Sequence, residues 1–460
     1  MQPPSPSPVG YHDALAYIYG RIDYERHPPA AAGRRAFRLR RMRALLDLLG
    51  NPERAARIVH VAGTKGKGST TTLVASILTA AGIRTGRYTS PHLERLEERF
   101  VVDHRPCSAV ELIDLVQAVR PAADRLAATE HGPPTFFELT TAIAFEHFAR
   151  QSCGWVVLEV GLGGRLDSTN VCQPDVTAIT TIGLDHQQIL GSTLALIARE
   201  KAGIIKTGVP MVCGVRHGDA AAVIRSIADQ RAAPLWHLGH DFDVRPLNPP
   251  PEPWGAAFDY VPRTNALQGG ALRPCGNHGQ RLGLRLRMEG RHQVDNAGVA
   301  LAIIDRLIAA GLDVSEQAIR HGLLVAQAPA RLQLFPGRPA VLLDTAHNPD
   351  SIAALAEVLR NRALGRRCIV VFSASRDKDV ATMLQQLEPF ADAFVLTQFV
   401  SNPRATTTTA LAAKLCRQDN VTEIAFPAEA LALARHKAGP DGLIIITGSF
   451  FLAAELLPLL

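Results

Sequence analysis

The feature that most constrains this chain is the segment from Ile58 to Thr71, IVHVAGTKGKGSTT, in which an apolar run feeds a glycine-rich turn carrying a lysine and hydroxyls ahead of a helical stretch. Such a segment reads as a nucleotide phosphate cradle. Gly63, Gly66 and Gly68 allow a tight turn and close backbone approach to an anion, amides at the start of the next helix face the phosphates, and Lys67 neutralises their charge. Thr64, Ser69 and Thr70 complete the set. The spacing departs from the usual phosphate loop, where Ser or Thr follows the lysine directly; here Gly68 intervenes, which leaves open whether Ser69 touches magnesium. The plainer alternative is an ordinary glycine-rich strand-to-helix turn.

At 460 residues, 47% hydrophobic and 20% charged, the chain can bury more than one core, so two domains are expected. Only 5% of residues are aromatic. Ala, Leu, Ile and Val must therefore fill the cores, which suits helices packed on a buried parallel sheet. The formal charge is +6. Part of that excess lies between Arg34 and Arg43, where Phe37, Leu39, Met42, Leu45, Leu46 and Leu49 recur near helical spacing and give an amphipathic helix with a basic face. A solvated face or an anionic small-molecule funnel accounts for it. No interleaved aromatics or recognition motif point to nucleic acid. The seven cysteines are scattered and odd in number, which is not a disulfide framework. The N-terminus lacks a signal-like core and no run is long enough to span a bilayer, so a cytoplasmic enzyme without a membrane partner is the simplest expectation.

Helical patterns are expected at about 11–25 and 35–49, then a strand at 57–61 and the loop helix to about 81. Strands follow at 155–160, 176–182 and 209–213, with helices between them. The alternation implies a parallel sheet covered on both faces. The stretch 247–281, with Pro249 to Pro251 and Gly269-Gly270, breaks the rhythm and reads as a β-rich excursion or surface insertion. Helical periodicity resumes from 292 to 312 and on to 327. A second α/β series follows, with strands at 340–343, 368–372, 393–396 and 443–447. The expected division is 1–328 and 329–460.

Three more clusters bear chemistry: YTSPHL from Tyr88 to Leu93, LEVGLGGRLDSTN from Leu158 to Asn170, and LDH from Leu184 to His186. Carboxyl ends of strands converge on the ligand in open α/β sheets, so Glu159 and His186 can reach one nucleotide from different strands. Glu159 lies in an apolar strand, where a carboxylate demands a cation; magnesium or an ion pair with Arg165 would serve. Magnesium takes few protein ligands beside phosphates, so Ser90, Glu159 and His186 suffice. For His186, a hydrogen-bonded histidine at a strand end explains as much. Lys201, in REKAGI from Arg199 to Ile204, reads by default as an exposed helix-end lysine.

Together these residues resemble the folylpolyglutamate synthase and dihydrofolate synthase branch of the Mur ligases. The resemblance runs from about residue 22 to 451. It also takes in TFFE from Thr135 to Glu138, HQVDN from His292 to Asn296, Arg331, DTAHNP from Asp344 to Pro349 and DKD from Asp377 to Asp379. It implies an N-terminal phosphate-loop ATPase domain with a parallel-rich sheet and a smaller, Rossmann-like C-terminal α/β domain. It implies ATP on Gly63 to Thr70, with Lys67 on the transferred phosphate, and Asn296, Arg331, Asp344 and His347 on the nucleotide, the last two brought over it by domain closure. Ser90, Glu159 and His186 become magnesium ligands, and Lys201 a carbamylated lysine supporting a second magnesium. Phe137, Asp167 and Ser168 correspond to residues around the pterin, although for Phe136 and Phe137 a core role explains as much.

This sequence departs from the family pattern at Lys65, for asparagine, and at Ala330 and Thr345, each for glycine. None of these removes a reacting group, but Ala330 bears on the hinge. The implied activity is ATP-dependent amide ligation of L-glutamate to a folate-type carboxylate through an acyl phosphate, by a monomer acting on small molecules. The alternatives are a Mur-type ligase on a cell-wall nucleotide precursor, and an ATP-binding regulator that forms no bond.

Overall fold

A computed structural model describes residues 8–23, 39–216, 218–247, 254–263, 279–363, 365–417 and 419–460. Phe37, the start of the basic helix, Cys275 and much of the 247–281 excursion lie outside these residues. The chain divides into two compact units, 1–245 with 258–284 and 295–326, and 246–257 with 285–294 and 327–460.

In the first unit, short apolar runs become β1 (Arg57–Ala62), β2 (Thr85–Tyr88), β3 (Phe100–Val102), β4 (Arg105–Pro106), β5 (Trp155–Glu159), β6 (Val176–Ile179), β7 (Met211–Cys213) and β8 (Leu235–His237). They form one sheet in the order β4-β3-β2-β5-β1-β6-β7-β8. All neighbours from β2 to β8 pair parallel, and only β3 and β4 run antiparallel at one edge. Five of the six residues of β1 are buried, as a strand covered on both faces requires. Helices α1 (Tyr11–Tyr19), α2 (Leu39–Leu48), α3 (Lys67–Ala80), α4 (Ala109–Ala127) and α5 (Phe136–Arg150) supply much of that cover.

The helix α3 follows β1 directly and is buried from Ser69 to Leu78. It lies against the helix Glu316–Val325, where a side chain on Gly322 would begin 2.6 Å from Ile77 Cα and where Ser76 Oγ donates to the Gly322 carbonyl at 2.7 Å. This glycine lets the two backbones close up and fixes α3 from its outer side. The helix α4 starts on a capping box, Ser108 with Glu111, and α5 on another, Thr135 with Glu138. Each satisfies amide donors that a helix start leaves over.

Helix α1 ends at Tyr19, short of the expected 25, with Gly20 N–H still bonded to the Ala16 carbonyl; residues 24 and 25 of that expectation lie outside the described residues. Where described, the excursion holds β10 (Ala257–Pro262), the middle strand of a three-stranded sheet with β9 (Phe242–Leu247) and β11 (Arg281–Arg285) at its two ends. It is more than a surface insertion, since Phe258 and Tyr260 are buried.

In the second unit, β12 (Gln333–Phe335), β13 (Ala340–Leu343), β14 (Cys368–Phe372), β15 (Ala393–Leu396), β16 (Val421–Glu423) and β17 (Leu443–Thr447) form a sheet ordered β12-β13-β17-β14-β15-β16. Apart from the antiparallel β12, its neighbours are parallel. The core beneath it is aliphatic, with Phe372 and Phe394 among its few aromatics.

Before β12 the backbone enters the left-handed region twice without glycine, at Ala330 (φ 51°) and Leu332 (φ 47°). Hydrogen bonds hold the turn: Ala330 N–H donates to Gln333 Oε1, Leu332 N–H to Asp344 Oδ2, and Thr345 N–H to the Ala330 carbonyl. An L-residue in this region carries about 1–2 kcal/mol of steric cost. Ala330→Gly removes it but loosens the unfolded chain, for a net gain of roughly 0.5–1 kcal/mol. Thermal unfolding should show a midpoint a few degrees higher; a lower one would mean that the alanine is unstrained.

Candidate active site

The phosphate loop leaves the carboxyl end of β1 and enters α3 at Lys67. Gly66 (φ 81°) is its N-cap, and a side chain there would begin 2.1 Å from Asn296 Oδ1, so the loop can take this path only with glycine. The expected nucleotide residue Asn296 thus lies against the loop. The loop is also tied to the segment after β6: Thr64 N–H donates to the Thr181 carbonyl, Lys65 N–H to Thr181 Oγ1, and Gly183 N–H to Thr64 Oγ1. Lys65 Nζ stands 3.9 Å from Asp185 Oδ2, which links the loop to Leu184–His186. Lys67 is half-buried at the helix start, where the helix dipole and its open amides favour an anion.

Glu159 ends β5 and is 4% exposed. Its Oε2 lies 3.3 Å from where a Gly68 side chain would begin and accepts the Ser90 N–H at 3.0 Å. Three of the expected groups, the loop, Ser90 and Glu159, therefore meet at one point. Arg87, buried on β2 with Nη1 donating to Thr72 Oγ1, adds positive potential toward this carboxylate. Burial pulls the Arg87 guanidinium down to about 10, against the opposing pull of Glu159 and Glu98. The other ion-pair partner considered for Glu159, Arg165, grips Glu200 instead at 3.0 Å.

Lys201 corrects the reading as an exposed helix-end lysine. It closes the helix Leu194–Lys201 with 5% exposure, and its Nζ donates to the Gly63 carbonyl at 2.9 Å. Burial, and then the neighbouring Lys67 charge, bring its pKa down to about 7, only partly countered by Asp185 and Asp167. His186 holds a left-handed backbone (φ 49°) at the start of the short helix Gln187–Leu190, with its ring about half exposed and 3.8 Å from Asp185 Oδ1.

The aromatic pair separates. Phe136 is core, stacked on Tyr19 at 5.5 Å, whereas the half-buried Phe137 lays its ring against Gly161, where a side chain would begin 2.5 Å from Cζ. Gly161 opens the loop from 161 to 171 that carries Asp167 and Ser168. Asp167 is 5% exposed; its Oδ1 accepts Thr169 N–H and Oγ–H, and its Oδ2 accepts Leu162 N–H. Its carboxylate therefore shapes the loop from within, while Ser168 beside it is half-buried.

The second unit carries Arg331, Asp344 and His347. Asp344, 8% exposed, takes Leu332 N–H on one oxygen and Ala346 N–H on the other, both at 2.8 Å, and so fixes the turns that present Arg331 and His347. Burial raises its pKa and Arg331 opposes that. His347 Nδ1 is 2.9 Å from the Thr345 carbonyl, which can only accept, so Nδ1 carries a proton.

Sequence reasoning missed Arg87, Asp185 and the Thr180–Thr181 anchor of the loop. Arg87 left a signal, a lone charge in a four-residue strand; the threonines left none. Among the described residues no group of three or more His, Cys, Asp and Glu gathers as a metal site, and no helix is long and apolar enough to cross a membrane.

Comparison with known proteins agrees along the whole length. Residues 61–304 match the Mur ligase middle domain and residues 330–450 the Mur ligase glutamate ligase domain. The chain is 37% identical to the dihydrofolate synthase/folylpolyglutamate synthase of Bacillus subtilis over 97% of its own length and 98% of the relative's. It is similar in structure to folylpolyglutamate synthase of Thermotoga maritima, with a TM-score of 0.82 and 31% identity over 98% of this chain and 97% of that one. The Escherichia coli protein FolC in complex with DHPP and ADP gives 0.79 and 29% over the same shares. On domains, sequence and fold together, the chain belongs to the Mur ligase family, in its branch of folylpolyglutamate and dihydrofolate synthases.

Proposed function

We propose that this chain is an ATP-dependent ligase that joins L-glutamate to the carboxylate of a folate-type acceptor, dihydropteroate, tetrahydrofolate or both. The observation that carries the reading is the meeting of Glu159, Ser90 and the Lys67-led helix start, a place for a triphosphate beside a hard oxygen ligand. The names of the relatives support the acceptor and the amino acid, and the ADP in the Escherichia coli complex supports the nucleotide.

A carboxylate resists attack by an amine because it is anionic and lacks a leaving group. In this scheme its oxygen attacks the γ-phosphorus of ATP, the bond to the bridging oxygen breaks, and ADP leaves an acyl phosphate. The glutamate α-amine then adds to the carbonyl carbon and loses a proton, and phosphate departs as the amide forms. Lys67 neutralises the moving phosphoryl charge, and the loop amides orient it. Asn296, Arg331, Asp344 and His347 are assigned to the nucleotide, Arg331 as its cation. Phe137 and Ser168 are assigned to the pterin, with Asp167 acting through the loop it shapes.

The donor set suits magnesium, which accepts one or two hard oxygens and keeps its waters. Glu159, Ser90 and His186 would hold it, and it would supply charge neutralisation at the phosphates. Lys201 is assigned as carbamylated, because an amine with a pKa near 7 is substantially neutral at working pH and so nucleophilic toward carbon dioxide. The carbamate would support a second ion. A cytoplasmic monomer with no nucleic-acid or membrane partner completes the reading.

Purified protein with ATP, magnesium and L-glutamate should release ADP when dihydropteroate or tetrahydrofolate is added, and Lys67→Ala should slow release by on the order of 10³-fold. No glutamate-dependent release with either acceptor sinks the assignment. Glu159→Gln, of the same shape without the charge, should lower turnover by roughly 10²-fold or more and shift half-saturation to higher magnesium; an unchanged magnesium dependence would exclude Glu159 as a ligand. Under ¹³C-bicarbonate the protein should show a carbamate carbon resonance that is absent in Lys201→Arg. That signal should fade as pH falls below about 7, because protonation removes the attacking lone pair. The same signal in Lys201→Arg would refute the carbamate at this lysine.

A further inference from the structure

The strand β1, which delivers the phosphate loop, also carries a histidine that none of the chemistry above uses. His60 is fully buried, three residues before Gly63. Its Nε2 lies 2.8 Å from Thr169 Oγ1 and its Nδ1 3.7 Å from Cys172 Sγ. Thr169 Oγ1 lies 2.5 Å from Asp167 Oδ1. These contacts have one consistent polarity. Every neighbour described around the Asp167 oxygens is a donor, so the carboxylate accepts and the Thr169 hydroxyl gives its proton to it. The Thr169 oxygen then accepts from His60 Nε2–H, which leaves Nδ1 as the acceptor for the Cys172 thiol. Each contact in the chain Cys172, His60, Thr169, Asp167 then has one direction only.

We propose that His60 is a positioning residue for the acceptor substrate: its neutral Nε2–H imidazole orients the Thr169 hydroxyl and so holds Asp167 and the loop 161–171 in the shape that receives the pterin. The proposal rests on the assignment of that loop to the acceptor. An imidazolium at this position would still donate from Nε2 but would turn Nδ1 from acceptor to donor toward Cys172 and place a charge in a dry core. Burial, helped by Lys206, holds the ring down at about 3, so it stays neutral at any working pH. Lys206 itself donates to the Asn170 carbonyl at 3.0 Å and secures the far end of the same loop. A histidine kept only for packing would need no such directed contacts; a leucine would fill its place.

The test combines His60→Leu, His60→Gln and Asp167→Asn with ¹⁵N NMR of the histidine rings in the wild-type protein, the His60 signals being assigned by their loss in His60→Gln. Wild-type His60 should be protonated on Nε2 and not Nδ1, with no titration from roughly pH 5.5 to 8, where an ordinary histidine changes charge. His60→Leu should raise the acceptor KM about tenfold, as for loss of a buried hydrogen bond, with the ATP KM unchanged. His60→Gln, whose amide reaches the Nε2 position, should keep the fold and recover the acceptor KM to within about threefold of wild type. An Nδ1–H tautomer, a rise in ATP KM in step with that of the acceptor, or no rescue by glutamine overturns the positioning role. If Asp167→Asn raises the acceptor KM and His60→Leu does not, only the role of His60 falls. If Asp167→Asn also leaves it unchanged, the assignment of the loop to the acceptor falls, and the role of His60 with it.

Discussion

Everything at the candidate active site depends on one expensive placement, a carboxylate kept out of water at the end of β5. Desolvating an ion costs several kcal/mol even after the protein relaxes, and the cost is met only where cations and donors surround it. Around Glu159 those are the Ser90 amide, the buried Arg87 and the start of α3. Lys67 adds positive charge from the loop side, so the start of α3 favours an anion. The loop needs glycine at Gly66 for a reason within the protein: a side chain there would collide with Asn296.

The lowered pKa of Lys201 follows from the same crowding. A lysine at the end of a helix usually extends into water, where its charge is cheap. Here the helix Leu194–Lys201 delivers it inward to the Gly63 carbonyl, next to Lys67. Burial first, and then the Lys67 charge, lower the pKa of Lys201 to about 7.

Much of this was legible in the sequence because the signals were local. Glycine spacing located the loop, apolar runs located the strands at 340–343, 368–372, 393–396 and 443–447 to the residue, and a carboxylate at the end of such a run marked Glu159. What stayed hidden depends on contacts across many residues. The burial of Lys201 depends on Gly63, far away in sequence, and the internal role of Asp167 depends on amides that its own loop folds back on it. Helix ends were hidden as well: α1 stops at Tyr19 although the side chains beyond it could continue the pattern.

The two lost glycines of the second unit turn out to be one feature. The Ala330 carbonyl accepts the Thr345 N–H, so the strained turn before β12 and the turn after β13 brace each other. Thr345 is buried with its hydroxyl lacking a partner within the protein, and Ala330 holds a backbone angle that favours glycine. Both are costs of about 1–2 kcal/mol, tolerable only where the surroundings dictate the conformation. Asp344 does so, by binding the backbone on each side of the bracing bond. Its carboxylate thereby sets the shape of the two turns that carry Arg331 and His347.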